Sequence, residues 1–177
     1  MKTLAKLSTA LCLLSPVAVS AETASTPVPK EVSNMECLVG AWKGGGLLAT
    51  GKDTAKLHVT WNCKRTAAQY GVLCTFHVTG IPGMPSYEET DLMGYEPNTQ
   101  QYHWYSVTNA GETHDHVAAV PSGDALTFVF NGTQAGKPFK EVIDLSFSKD
   151  SRHASGKAEQ FVDGVSQSVM RVELDKS

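Results

Sequence analysis

The chain has 177 residues, of which 41% are hydrophobic and 19% charged, and its formal net charge is −3. This length suits a single domain with one sizeable core. A mildly acidic balance argues against a nucleic-acid partner, because such partners require a basic surface.

The first 21 residues have the pattern of a secretory signal peptide. Lys2 and Lys6 precede an apolar run over residues 7–19, and small residues follow it, so cleavage is predicted after Ala21. The run is shorter than the roughly 20 apolar residues that a membrane span needs. We therefore expect a periplasmic or secreted protein without a membrane span, whose mature chain has 13 basic and 18 acidic residues and a formal charge of −5.

The rest of the chain is predicted to be all-β. Residues 22–34 contain Ser, Thr and two prolines and predict a flexible leader, followed by one domain over residues 35–177. Short alternating or β-rich runs then recur, separated by Gly, Pro, Asn and Asp. This pattern predicts an antiparallel up-and-down β-barrel of about ten strands. The predicted strands are 39–50, 54–64, 71–79, 86–95, 100–108, 113–120, 124–131, 139–148, 153–162 and 165–174.

One predicted hairpin fixes its own register. In the strand over 54–64 the odd-numbered residues are apolar and the even-numbered ones are polar, so the odd residues face inward. A loop centred on residues 68–69 then sets Trp61 opposite Phe76 and Cys63 opposite Cys74.

That register brings Cys63 and Cys74 to a distance compatible with a disulfide. Export makes oxidation of the thiols favourable. Cys37 is then the odd thiol, and a pairing of Cys37 with either of the other two cysteines stays open.

The segment "LVGAWKGGG" contains Gly40, Trp42, Gly44 and Gly46 at alternate positions. It resembles the first-strand signature of calycin-type barrels, which lipocalins, fatty-acid-binding proteins and nitrobindin-like proteins share. The resemblance implies that Trp42 plugs the closed end of a barrel. Glycine permits close packing of a strongly bent strand, and an indole fills a barrel end.

A closer resemblance covers nearly all of residues 35–174. The stretches "WNCK", "GIPGM", "DLMGYEP" and "YHWYSVTNAGETHDHV" are similar to landmarks of a bacterial family of exported, lipocalin-like domains of unknown function. This resemblance implies a fold but no activity. The nitrobindin comparison would imply haem on a histidine near the C-terminal strands. Only His153 lies there and it matches no such motif, so haem is not expected.

Three histidines lie on a predicted hairpin. With Ala110 and Gly111 as a two-residue loop, His103, His114 and His116 share one face of the hairpin. Three nitrogen ligands with an open fourth position suit a zinc-like ion. A one-residue change of loop length would put His103 on the opposite face. Polar residues on a surface hairpin, or lining a wet barrel mouth, are the alternative interpretation.

Three further features bear on the direction of these histidines and on the lumen. A two-residue turn in the next hairpin aligns Val117 with Phe128, which would turn Asp115 inward instead of the histidines. Glu141 interrupts an apolar face, and we expect it at a barrel-end surface, with a lumen position beside Arg171 as the alternative. Residues 80–86 form either a lid over the barrel mouth or an ordinary strand connection.

The leading functional hypothesis is a non-enzymatic barrel that binds a small, partly apolar molecule in its lumen. The alternatives are a metal-binding or metal-dependent protein that uses His103, His114 and His116, and an envelope interaction protein with a solid core. No catalytic motif is present in the sequence, and no cofactor besides a zinc-like ion is expected. The oligomeric state stays open. The residues predicted to line the lumen are Trp42, Trp61, Phe76, Trp104, Tyr105 and Phe128.

Overall fold

The computed structural model describes residues 27–119 and 125–177. The predicted signal peptide lies outside these residues. Within them, ten antiparallel strands follow one another in sequence order and close into a barrel in which the last strand pairs with the first. The strands are β1 Gly40–Thr50, β2 Asp53–Thr66, β3 Gly71–Thr79, β4 Tyr87–Glu96, β5 Gln101–Thr108, β6 Thr113–Ala119, β7 Ala125–Gln134, β8 Lys137–Phe147, β9 His153–Val162 and β10 Val165–Lys176.

This architecture confirms the predicted fold class. Each predicted strand has a counterpart in the structure, and the closed ten-stranded barrel is consistent with a calycin-type fold. The strands are readable from the sequence because one face of each strand packs inward while the other contacts solvent.

A short helical segment covers one end of the barrel. Helix α1 spans Lys30–Ser33, and a 3₁₀ turn follows over Asn34–Leu38. Val32, Met35 and Leu38 are buried there. Helix α1 and the buried Val32 lie within residues 22–34, for which a flexible leader is predicted. Val32 supplies an apolar contact that the composition of residues 22–34 did not indicate. Within the described ranges, no helical segment is long and apolar enough to span a membrane.

Trp42 closes the same end of the barrel. Its side chain is fully buried, and its indole Nε1 donates a hydrogen bond to the Leu38 carbonyl oxygen at 2.8 Å. The ammonium group of Lys176 lies 4.6 Å from the centre of the Trp42 ring. Trp42 thus joins the helical segment to the first and last strands.

Gly44 and Gly46 allow β1 and β10 to approach each other closely. A Cβ atom added at Gly44 would lie 1.9 Å from the Glu173 carbonyl oxygen, and one at Gly46 would lie 2.0 Å from that of Arg171. Any larger residue would therefore force the two strands apart where the barrel closes.

The β2–β3 hairpin has the predicted register. Trp61 pairs with Phe76 and Cys63 pairs with Cys74. The Cys63–Cys74 disulfide is present, with Cα atoms 4.1 Å apart. Cys37 is the free cysteine of the described residues, and its thiol lies 3.4 Å from the Asn34 carbonyl oxygen.

We predict that Gly44→Ala destabilises the protein by about 1–3 kcal/mol or prevents barrel closure, because the added methyl group overlaps the backbone of β10. Urea unfolding followed by tryptophan fluorescence measures the change. Gly94→Ala in β4 is the matched control, since a Cβ atom there meets no described atom within 4 Å. Equal stability of the two variants would contradict the steric argument.

Candidate functional site

The β5–β6 hairpin presents two of its three histidines to the lumen. Its register pairs Trp104 with His116 and Ser106 with His114, one residue away from the predicted pairing. His114 and His116 therefore face inward. His103 lies opposite Val117 on the outer face, and the predicted set of three histidines on one face is wrong.

The difference arises from the loop. Thr108 N donates a hydrogen bond to the Glu112 carbonyl oxygen at 3.0 Å, so three residues form the loop instead of two. The Asn109 side chain accepts a hydrogen bond from Glu88 N and donates one to the Ser86 carbonyl oxygen. Asn109 is thus held by the neighbouring β3–β4 loop. A three-residue loop with Gly111 at φ +84° is a common hairpin geometry.

The outer face of this hairpin carries residues that were expected inside. Tyr105, predicted to line the lumen, is 47% exposed. His103 is exposed and lies 3.0 Å from the Asp115 carboxylate. The next hairpin is also shifted by one residue, since Val117 pairs with Val129 and not with Phe128. Asp115 consequently points outward, contrary to the prediction.

His153, considered above for haem, also lies on the outside. It begins β9, and its ring nitrogens lie 3.0 Å from carboxylate oxygens of Asp175 and Glu173. Those contacts with exposed carboxylates place it away from the lumen.

The barrel encloses a cavity of about 440 Å³. Trp61, Phe76 and Trp104 line it, as their inward alternation predicted. Two other residues predicted to line the lumen, Trp42 and Phe128, do not line this cavity. Phe128 packs edge-on against Trp104 at 5.4 Å, and Trp42 packs against Phe147 at 5.8 Å. Whether any of these residues binds a ligand stays a prediction.

The mouth of the cavity lies at the end opposite Trp42. Ile81 and Met84, from the loop over residues 80–86, line the cavity together with Ala110 and Glu112 from the β5–β6 loop. The 80–86 segment thus connects β3 to β4 and also contributes two apolar side chains to the mouth.

One wall of the cavity carries a buried cluster of His114, His116 and Glu141. Glu141 Oε2 lies 2.8 Å from His116 Nε2 and 3.2 Å from His114 Nδ1. Gln160 Nε2 donates a hydrogen bond to the other carboxylate oxygen at 3.0 Å. Glu141 is only 9% exposed, so the expected barrel-end surface position is wrong. Gln160, and not Arg171, is its partner from the later strands.

The cluster stabilises a negative charge on Glu141. Burial raises the pKa of Glu141, but the hydrogen bonds with His114 and His116 outweigh burial and lower that pKa to about 2. The hydrogen bond with Glu141 raises the pKa of His114. The His114 ring also stacks on Phe130, with ring centres 4.1 Å apart.

The donor atoms of this cluster suit a metal ion. His114, His116 and Glu141 each offer one ligand atom, and these atoms lie within 4.8 Å of one another. Two imidazoles and one carboxylate are a known zinc ligand set, and the adjoining cavity leaves a further coordination position open.

A second polar group lies on the inner face of β4. Asp91 is fully buried, and the Trp61 indole Nε1 donates to its Oδ2 at 3.4 Å. Glu89 lines the cavity and accepts a hydrogen bond from the Tyr87 hydroxyl at 2.9 Å. Burial and the neighbouring Glu89 carboxylate raise the pKa of Asp91 to about 9. Asp91 is therefore protonated at neutral pH.

Several buried polar atoms beside the cavity have no hydrogen-bond partner among the described residues. They are Asp91 Oδ1, Trp104 Nε1, Ser106 Oγ and His116 Nδ1. Such atoms are rare in folded proteins, because each one costs free energy unless water or a ligand satisfies it. Their grouping around one cavity marks it as the candidate functional site.

Glu89 and Asp91 are not among the site residues predicted from the sequence. The sequence of β4 does contain a signal for these two acids, because its residues alternate between the inner and outer face. The inward positions are Tyr87, Glu89, Asp91 and Met93. An acidic pair at inward positions of a strand is unusual and marks a polar region inside the barrel.

No protein-family model and no curated protein sequence matches this chain. Among solved structures, the crystal structure of Rv2717c from M. tuberculosis is similar, with a TM-score of 0.63 and 14% sequence identity. The match covers 85% of this chain and 99% of that chain. At this identity the likeness shows the fold alone, a barrel consistent with the calycin type.

We predict that Asp91→Asn reduces the pH dependence of stability. Folded Asp91 keeps its proton up to about pH 9, whereas an unfolded aspartate loses it near its ordinary value of 3.8. The unfolded chain thus binds fewer protons in this interval, and the free energy of unfolding falls as the pH rises, by up to about 1.4 kcal/mol per pH unit. Urea unfolding at pH 5 and pH 8 measures the slope.

Asp91→Asn should therefore lose less stability than the wild-type protein between these two pH values. Asp163→Asn, in the exposed β9–β10 turn, is the matched control and should keep the wild-type slope. Identical slopes for all three proteins would contradict the assignment of a raised pKa to Asp91.

Proposed function

We propose that this protein is an exported, non-enzymatic β-barrel that binds a small, partly apolar molecule in its lumen. The observation that carries the proposal is the cavity of about 440 Å³ open at one end of the barrel. Small-molecule sites typically have volumes of about 300–1,000 Å³. A cavity of this size does not fit the alternative of a solid-core interaction protein.

The two walls of the cavity differ in polarity. Leu48 from β1 and Met170 and Val172 from β10 form an apolar wall. Glu89 and the cluster around Glu141 provide polar groups from β4, β6 and β8. A ligand with an apolar body and one polar end matches this division, because apolar walls supply affinity and a few polar groups fix orientation.

Export is part of the proposal. The N-terminal pattern, with cleavage near Ala21, predicts it from the sequence, and the Cys63–Cys74 disulfide supports it. Disulfides persist in oxidising compartments such as the periplasm and the extracellular space.

We expect the delipidated protein to bind the neutral fluorescent probe N-phenyl-1-naphthylamine saturably, with one probe per chain. Ala158→Phe should weaken binding at least tenfold, because Ala158 lines the cavity and a phenyl ring there fills part of it. Probe fluorescence measures the affinity. Ala41→Phe makes the same substitution on the exposed outer face of β1 and should leave binding unchanged. Equal binding by both variants would place the probe outside the lumen.

A second candidate function is transition-metal binding by the His114, His116 and Glu141 cluster. In a tetrahedral zinc site with bonds of about 2.0–2.1 Å, ligand atoms lie about 3.3 Å apart. Glu141 Oε2 lies 2.8 Å from His116 Nε2 and 3.2 Å from His114 Nδ1, which is close to that spacing. Gln160 would hold the carboxylate in place through its other oxygen.

We expect the chelator-treated protein to bind one zinc ion per chain in isothermal titration calorimetry. His116→Ala and Glu141→Gln should each weaken zinc binding more than tenfold, because each removes one of three ligands. His103→Ala is the matched control, since His103 lies on the same hairpin but faces outward. A loss of zinc binding with His103→Ala, or equal binding by all variants, would exclude this site.

A further inference from the structure

We propose that the ligand of the lumen is an organic ammonium ion whose charged head lies beside Glu89, Ser106 and the surrounding aromatic rings. The inference rests on the proposed function and adds the chemical class of the ligand. It concerns the part of the cavity that the inner face of β4 lines. This part adjoins the His114, His116 and Glu141 cluster, since Ser106 pairs with His114 across β5 and β6.

Aromatic rings surround this pocket. Trp61 is stacked against Trp104 with ring centres 5.9 Å apart, and Phe76 lies edge-on to Trp61 at 6.5 Å. These three rings and Tyr87 all line the cavity together with Glu89. Aromatic faces attract a cation through their quadrupoles, and groups of such rings are a common binding site for organic ammonium ions.

The basic side chains that line the cavity pair with other acids and not with the acidic pair on β4. Lys157 pairs with Glu159, and His114 and His116 pair with Glu141. None of the ion pairs among the described residues includes Glu89 or Asp91. On β3 the residues opposite these two acids are Phe76 and Cys74, and on β5 they are Thr108 and Ser106. The Tyr87 hydroxyl donates a hydrogen bond to Glu89 at 2.9 Å, and the protonated Asp91 carboxyl group on the same face is hydrogen-bonded to it as well. A half-buried carboxylate of this kind gains stability from a bound cation.

The Ser106 hydroxyl is a second observation that indicates a ligand beside Glu89. Ser106 is 1% exposed, lines the cavity, and its Oγ has no partner among the described residues. It lies directly opposite Asp91 across the β4–β5 pair. An ammonium head has several N–H donors, so it can donate to the Glu89 carboxylate and the Ser106 hydroxyl at once.

The pocket suits an organic cation better than an inorganic one. The three-residue group of metal-binding side chains in the described part of the chain includes neither Glu89 nor Asp91. Apart from the hydroxyl groups of Tyr87 and Ser106, this part of the cavity is lined by indole and phenyl rings, which supply no oxygen or nitrogen lone pairs for a metal. An alkyl or aryl body attached to the ammonium head would contact the apolar wall around Met170 and Val172.

Three probes of matched shape and different charge test the inference. They are 4-phenylbutylammonium, neutral 4-phenylbutanol and anionic 4-phenylbutyrate, titrated by calorimetry into the delipidated protein with EDTA present to remove metals. We expect the ammonium ion to bind at least tenfold more tightly than the alcohol, and the carboxylate to bind most weakly.

Two substitutions on one strand provide the controls. Glu89→Gln should bring the affinity of the ammonium ion down to that of the alcohol while leaving the affinity of the alcohol unchanged. Glu88→Gln, at the neighbouring exposed position, should retain the preference for the ammonium ion. Glu88→Gln and Glu89→Gln each remove one negative charge from the protein. A difference in affinity between the two variants therefore cannot come from long-range attraction alone.

The outcomes separate this inference from the proposed function. If the alcohol or the carboxylate binds as tightly as the ammonium ion, the inference is wrong, while the ligand-binding function stands. The inference is also wrong if Glu88→Gln, like Glu89→Gln, abolishes the tighter binding of the ammonium ion relative to the alcohol. If none of the three probes binds, the inference is wrong, and failure of N-phenyl-1-naphthylamine to bind would then overturn the proposed function too.

Discussion

The lumen exists because β1 and β10 can approach each other closely enough to pair along their length. At Gly44 and Gly46 the backbone of β10 occupies the space that a Cβ atom would need. The strand can therefore bend across the closed end, where Trp42 fills the interior and bonds to the Leu38 carbonyl oxygen. A barrel without this contact would open along one seam and expose two strand edges to other chains.

Within the closed barrel, two buried acidic groups are accommodated in different ways. Glu141 has two imidazole partners and an amide donor, so its charge is stable in a site with little water. Asp91 has one long hydrogen bond from Trp61 and a second carboxylate nearby, so it holds its proton instead. The Glu141 carboxylate is therefore satisfied on both oxygens, whereas Asp91 and Ser106 keep unused hydrogen-bonding capacity beside the cavity.

Local patterns predicted much of this fold and less of its site. The strict alternation of β2 fixed the β2–β3 register, and with it the disulfide, because every inward residue met an apolar partner. The β5–β6 register depends on Asn109, whose side chain bonds to Ser86 in the β3–β4 loop and to Glu88 at the start of β4. No local signal contains that tertiary contact. Glu141 was misplaced for a similar reason, since its partners come from β6 and β9.

The order of the strands has a consequence for when the barrel can take up a ligand. Trp42 near the start of the barrel pairs with Lys176 near its end, so closure brings together the most distant segments of the domain. Such pairing has a high entropic cost and comes late in folding. The pocket walls from β9 and β10 are in place only after that step. A chain that crosses a membrane before it folds would therefore arrive empty and collect its ligand on the far side.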